Sequence, residues 1–297
     1  MRVNKILVVG SLHYDMMVDA PHLPEKGETV IGDSASFKFG GKGGNQAVAA
    51  AKAGANVVFL GAVGADDKGR FLLSTLQAYG IDTTPVETVA TLASGMSLAI
   101  TDADGDYGAI VISGANNAID IARLSHDDVW SGVGLLVLQN EVPESVNLSA
   151  AREARRRNIT VCLNAAPAKT LSADFQRYID MLVVNAIEAR DMSGVAVNDA
   201  DSAGAAVVAL KQRFSVVLVT AGEHGVAFSA TDDAYDYLPA EKVTLVSTHG
   251  AGDCFLGNFC HAFNRGASLR DAVEAANHAA ALHVSQPKTS QLTTLIS

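Results

Sequence analysis

Six short apolar runs recur along the chain and constrain its fold more than any other feature: ILVVG (6–10), VVFLGAV (57–63), LLVLQ (135–139), ITVCL (159–163), MLVVN (181–185) and VVLVT (216–220). A strand with one wet face alternates polar and apolar residues. These runs do not, so both of their faces must be covered, as in a parallel sheet between two layers of helices. Segments of helical length fill the gaps, among them NQAVAAAKAG (45–54), GRFLLSTLQAYG (69–80), SVNLSAAREARRRN (145–158) and DSAGAAVVALKQRF (201–214). The alternation predicts a doubly wound α/β fold, with helices on both faces of a mostly parallel sheet. At 297 residues and 48% hydrophobic the chain can bury such a core, and no linker divides it, so residues 1–297 read as a single domain.

Two stretches break the rhythm, residues 13–39 and 95–112. Both read as antiparallel strands, and the second is a hairpin with Asp104-Gly105 supplying the turn. Strands with one apolar face, inserted after the first and third core strands, predict a small sheet that projects from the domain as a lid. Its half-exposed face also suits the pairing of two copies in a homodimer.

The formal charge is −10 and no block of five or six basic residues occurs, which argues against nucleic acid or an anionic membrane as the partner. Small molecules fit better, and an anionic one must be gripped by a local set of donors. Cys162, Cys254 and Cys260 sit in apolar runs without Cys-x-x-Cys spacing, so they read as buried, inert thiols. The chain passes from MRVNK straight into ILVVG, unlike an export signal, and no apolar run nears the roughly 20 residues of a membrane span. The expected location is the cytoplasm.

The stretch VSTHGAGDCFLG (246–257) carries the chemistry. Gly250, Ala251 and Gly252 precede Asp253 at the head of an apolar helical pattern. Small residues there leave backbone N–H groups unobstructed, and the helix dipole adds positive potential, which makes an anion hole. An acid beside it becomes useful if it takes a proton from a hydroxyl while the donors neutralise charge on a transferred group. Such effects reach roughly 10²- to 10⁴-fold for a base and about 3–4 kcal/mol for a donor. Hydroxyl plus phosphoryl group is the simplest pair meeting both demands. The alternative is a capped helix with Asp253 as a dipole partner.

The glycine cluster GGKGGNQAVAA (40–50) is not a Walker loop, because Gly43 follows Lys42 and Ser36 stands where the first glycine belongs. A dinucleotide fingerprint fails too, with Gln46 in place of the third glycine and a lid-like strand ahead of the cluster. What remains is a turn at Gly41 that sets Lys42 and Asn45 at a helix N-terminus, an ammonium and an amide of the kind sugar hydroxyls bind; a helix start with incidental glycines is the alternative. Asp15 lies just past the first strand, where an acid can accept two sugar hydroxyls or simply be a solvated lid carboxylate. Glu141, Asn185 and Glu188 fall at or beyond other strand ends. The loop from Thr220 to Gly225 suits a nucleotide, though an ordinary turn would look the same.

Taken in order, and with SGANNAI (113–119) and LNAAPA (163–168), these motifs resemble the ribokinase-like, or PfkB, family of carbohydrate kinases over essentially the whole chain. The resemblance implies ATP and Mg²⁺ as co-substrates and transfer of the γ-phosphoryl group to the primary hydroxyl of a pentose such as ribose. It implies Asp253 as catalytic base, with Gly250, Ala251 and Gly252 as the anion hole. Sugar contacts would come from His13, Asp15, Gly41, Lys42, Asn45 and Glu141. Nucleotide contacts would come from Asn185, Thr220, Gly222, Gly225, Gly252 and Asn277, and Glu188 would position Mg²⁺ through water.

The departures from the family pattern carry their own expectations. His13 stands where the family usually has Asn, which leaves the sugar open. Ser247-Thr248-His249 replaces Asp-Thr-Thr, removing an oxygen ligand of the activating monovalent cation, and VSQPKTSQ (284–291) lacks the glycine of that site. Weak or no potassium activation is expected. His13 and His249 as a metal pair would lack a third ligand, and His278 and His283 read as packing or surface residues. Two competing functions remain open: a nucleoside kinase of the same family, with His13 facing a base, and a degenerate sugar- or nucleotide-binding regulator.

Overall fold

The computed structural model describes residues 4–102, 107–229 and 234–286. Its strands are β1 (Lys5–Val9), β2 (His13–Asp19), β3 (Ser34–Gly40), β4 (Val57–Leu60), β5 (Ala62–Gly64), β6 (Glu87–Val89), β7 (Met96–Thr101), β8 (Tyr107–Ile112), β9 (Val133–Gln139), β10 (Thr160–Asn164), β11 (Met181–Asn185), β12 (Val216–Thr220), β13 (Val226–Ser229) and β14 (Tyr235–Leu238). Its helices are α1 (Lys42–Lys52), α2 (Asp67–Ala78), α3 (Glu144–Arg156), α4 (Ala173–Gln176), α5 (Ala186–Ser193), α6 (Ala200–Lys211), α7 (Ala251–Asn264) and α8 (Leu269–Ser285).

Eight strands form the main sheet in the order β14-β13-β12-β11-β10-β9-β1-β4. The pairs from β4 through β12 are parallel, while β13 and β14 extend the sheet antiparallel. The double-sided apolar runs have a simple cause. Leu7, Val9, Leu136, Leu138, Val161 and Leu163 face one core, shared with α3, α5 and α6. Their neighbours Ile6, Val8, Leu135, Val137 and Cys162 face a second core, shared with α1, α2, α7 and α8. Each fully buried Leu or Phe contributes about 1.5–3 kcal/mol, so neither face tolerates a polar register. The run 57–63 is broken at Gly61, and β5 leaves the main sheet to pair with β6.

The lid is a four-stranded sheet, β3-β2-β7-β8. Both hairpins are antiparallel, as expected, but β2 and β7 meet in parallel. The second insertion follows β4, the second core strand in chain order and not the third. The Asp104-Gly105 turn lies outside the described residues. Among the described residues no helix is long and apolar enough to cross a membrane.

Chain order reverses at β1. The chain runs from β1 through the lid to β4 on one side, then returns to β9 on the other. Open α/β sheets bind ligands in the crevice beyond the carboxyl ends of strands at such a switch point, here past Val9 and Gln139.

Candidate active site

Two helices bring the central groups together. Gly257 of α7 packs so tightly on α1 that an added Cβ would lie 2.5 Å from Ala49 Cβ and 2.6 Å from Ala50 N. One turn earlier on each helix the same approach sets Asn45 and Gln46 beside Asp253. Asn45 Nδ2 donates to Asp253 Oδ2 at 3.2 Å, and Gln46 Nε2 donates to Asp253 Oδ1 at 2.9 Å. Burial raises the Asp253 carboxyl above its ordinary pKa, against the Lys42 ammonium and the two amide donors, which favour its ionised form.

Gly250 caps α7 in the left-handed region, at φ 76°, which permits the chain to turn into the helix. The hole is smaller than its sequence implies. The Ala251 N–H donates to the Thr248 carbonyl at 3.1 Å, so that amide is already engaged. Intrahelical bonding begins with Cys254 N–H to Gly250 O, leaving the Gly252 and Asp253 amides as the first-turn donors. A Cβ added at Gly252 would meet nothing within 4 Å, so open space lies against this turn.

The loops after β1 and β9 close on each other through Glu141. Its Oε2 accepts from Ser11 Oγ at 2.6 Å and from the Lys42 N–H at 2.7 Å, and His13 Nδ1 lies 3.8 Å away. Gly41, at φ 86°, makes the bend before α1; an added Cβ would lie 2.8 Å from both Ser11 O and His13 N. His13 is 2% exposed, and its Nε2 has no partner among the described residues. Asn116, from SGANNAI, holds the same corner by exchanging hydrogen bonds with the Leu12 backbone at 2.9 Å each way.

Asp15 reaches into the site from β2. Ser97 Oγ on the neighbouring β7 donates to its Oδ1 at 2.5 Å. Burial raises this carboxyl, opposed first by the Ser97 bond and then by the His13 charge. Gly40 leaves the room it needs, since a Cβ there would overlap Asp15 Oδ2 at 1.8 Å.

Asn185 and Glu188 form a capping box on α5. The Asn185 N–H and Nδ2 donate to the two Glu188 oxygens at 2.8 and 3.0 Å, and Asn185 Oδ1 accepts from the Ile187 and Glu188 amides. Glu188 is 5% exposed, and burial raises its carboxyl while Lys42 lowers it and Asp253 raises it further. The pair therefore borders the Asp253 pocket while it holds its own helix.

Thr220 is in register with Asn185. Beyond it the turn Gly222–His224 leads to Gly225, packed against Leu238 and Ala240, and Asn277 Nδ2 donates to the Pro239 carbonyl at 2.8 Å. Asn185 thus adjoins Thr220, and Gly225 and Asn277 both meet the segment Leu238–Ala240. Ser247 and His249 lie on the loop that leads into Gly250. There, His283 Nε2 lies 3.0 Å from the His249 carbonyl, and Val284 O accepts from Val246 and Ser247. His278 pairs with Glu241 at 3.0 Å. No cluster of three metal-ligating side chains occurs among the described residues. Cys162 and Cys260 are buried and Cys254 partly so, all with free thiols. Burial raises the Cys254 thiol, in keeping with an inert role.

Sequence reasoning missed Ser11 and Ser97, and met Asn116 and Asn164 only inside SGANNAI and LNAAPA, with no role given to either. It met Gln46 only as an obstacle to the fingerprint. Short polar residues at strand ends carry no motif of their own, and only the neighbouring Asn45 hinted at Gln46.

The model of the pfkB family of carbohydrate kinases matches residues 3–295. The ribokinase of Haemophilus influenzae is 33% identical over 95% of this chain and 92% of its own length. The deoxyribokinase of Salmonella typhi is 34% identical over 91% of the chain and 89% of its own. Among solved structures, the Arabidopsis thaliana ribokinase complexed with ribose and ATP superposes with a TM-score of 0.89 at 27% identity, covering 97% of this chain and 94% of that one. The chain belongs to the pfkB family of carbohydrate kinases and is an ATP-dependent sugar kinase.

Proposed function

We propose that the protein phosphorylates the primary hydroxyl of a pentose, ribose first. The observation that carries this reading is the cluster in which Asp253, Asn45, Lys42 and Glu141 interact, with Asp15 on the lid strand β2 close enough to feel the Glu141 charge. Asp15 and Glu141 would hold the sugar hydroxyls. Asp253 would take the proton from the attacking alcohol while the Gly252 and Asp253 amides neutralise charge on the phosphoryl oxygens. The nucleotide would lie along Asn185, the Thr220–Gly225 loop and Asn277.

Mg²⁺ fits the donor set in one way. Both Glu188 oxygens are held by Asn185, so Glu188 is suited to act through water, as Mg²⁺ sites built from phosphates and one or two carboxylates do. When bound, the ion would offset charge on the donor phosphates.

A panel of ribose, deoxyribose, other pentoses, hexoses and nucleosides, scored by ADP release, tests the reading. Turnover on nucleosides alone would replace it with the nucleoside-kinase reading. Tight sugar binding without any turnover would restore the non-catalytic binder.

The monovalent-cation requirement is proposed to be weak. Ser247 supplies no carboxylate, and the His249 and Val284 carbonyls already accept protein donors. Turnover is expected to change less than about twofold between matched potassium and sodium chloride; a many-fold rise with potassium overturns this. The proposed assembly is a homodimer through the lid. Its outer face carries Met16, Val18, Leu98 and Ile110, the last 62% exposed. Light scattering is expected to give twice the chain mass, and Ile110→Lys to give the monomer. The proposed setting is the cytoplasm, where ATP is at hand.

A further inference from the structure

The Gln46 side chain is 1% exposed and binds at one end only. Its Nε2 uses both hydrogens, one on Asp253 Oδ1 at 2.9 Å and one on Asn164 Oδ1 at 3.0 Å. Its Oε1 is buried without a partner among the described residues. An unsatisfied buried acceptor costs stability, and such a group in a native fold asks for a reason.

The reason lies in what fixes the amide. Asn164 Nδ2 donates to the Val183 carbonyl of β11 at 3.1 Å, so Asn164 must turn its oxygen toward Gln46. Gln46 must then present its NH₂ to Asn164, and the same nitrogen reaches Asp253. Turned over, the amide would set its oxygen against two other oxygens. A chain of hydrogen bonds thus runs from the backbone of the sheet to one oxygen of Asp253.

We infer that Gln46, anchored through Asn164 to the backbone of β11, is a positioning residue that holds Asp253 Oδ1 and reserves Oδ2 for the incoming alcohol. The inference rests on Asp253 being the base. Among the described residues Oδ2 carries only the longer 3.2 Å bond from Asn45, an amide that would turn to a sugar hydroxyl when substrate enters. The charged groups that act on Asp253 are Lys42 on α1, Glu141 after β9 and Glu188 on α5, with the Cys254 thiol beside it. Lys42 favours the carboxylate, and Glu141 and Glu188 oppose it. Gln46 adds to the first side without adding a charge.

The test is the pH profile of kcat for Gln46→Met, which keeps the length and loses the donor. Without it the ionised form of Asp253 is less favoured, so its pKa rises. The acid limb is expected to move up by about one unit. Turnover at pH 7 should fall roughly tenfold with the KM for ATP unchanged. Asn164→Leu leaves Gln46 in place but unanchored and is expected to move the limb the same way by less; it serves if Gln46→Met does not fold. Acid limbs that coincide with the parent's in both variants overturn the inference, whatever happens to kcat. Asp253→Asn keeps the two readings apart. If that variant is inert while the Gln46 and Asn164 profiles do not move, only the positioning role falls. If it remains active, the base reading falls and this one with it.

Discussion

Asp253→Asn is expected to lower kcat by 10²- to 10⁴-fold while sugar and ATP still bind, because the substitution keeps the shape of the side chain and removes its capacity to take a proton. Isothermal titration with the sugar and with a non-hydrolysable ATP analogue should give affinities within a fewfold of the parent. The thermal scan separates loss of chemistry from loss of fold, and its sign follows from burial. Asp253 has a folded pKa raised above its unfolded value. As pH rises through that window the unfolded chain gives up its proton first, so the ionised side chain costs stability at neutral pH. A neutral amide removes that cost, and the variant should melt no lower than the parent at pH 7. A variant that retains more than about a tenth of the parent kcat would leave Asp253 as a dipole partner of α7 and no more.

The amides at the head of α7 depend on the same local structure. That structure was legible in the sequence at some residues and not at others. Gly250 and Asp253 stand out in the sequence as a small residue and an acid at a helix start, and the structure puts them at the left-handed N-cap and in the first turn of α7. Ala251 was misread, since no local pattern reveals that its N–H folds back onto Thr248. The core strands were legible because two helical layers demand apolar residues at every position. β14 was not, because the antiparallel edge relaxes that demand, and Tyr235–Leu238 shows no buried position; β13, buried at all four positions, is only a four-residue run and does not stand out. Gln46 and Asn164 escaped for a different reason. Their partners lie 207 and 118 residues from Gln46, and a hydrogen-bond chain across that span has no periodicity. Asn185 and Glu188 present a third case, where a site motif and a helix-capping motif are spelled by the same residues.

Asp15→Ala is expected to raise the KM for the sugar by about 10² or more, with the KM for ATP unchanged. The structure gives the carboxylate a built place: Ser97 holds Oδ1, Gly40 clears the space around Oδ2, and partial burial raises its pKa. A half-buried carboxylate with one protein donor among the described residues is ready to accept from the hydroxyls of a polyol. Each hydrogen bond to a charged acceptor is worth roughly 1.5–3 kcal/mol, so two correspond to about 10² or more in affinity. A solvated lid carboxylate would do otherwise, shifting the KM by less than about threefold. The pH dependence adds a check that truncation alone does not. Since the Asp15 pKa is raised, sugar affinity should weaken as pH falls through that raised value, when the carboxylate becomes a donor to hydroxyls it had accepted from. In Asp15→Ala that acid-side loss of sugar affinity should disappear. Its persistence would return Asp15 to the lid.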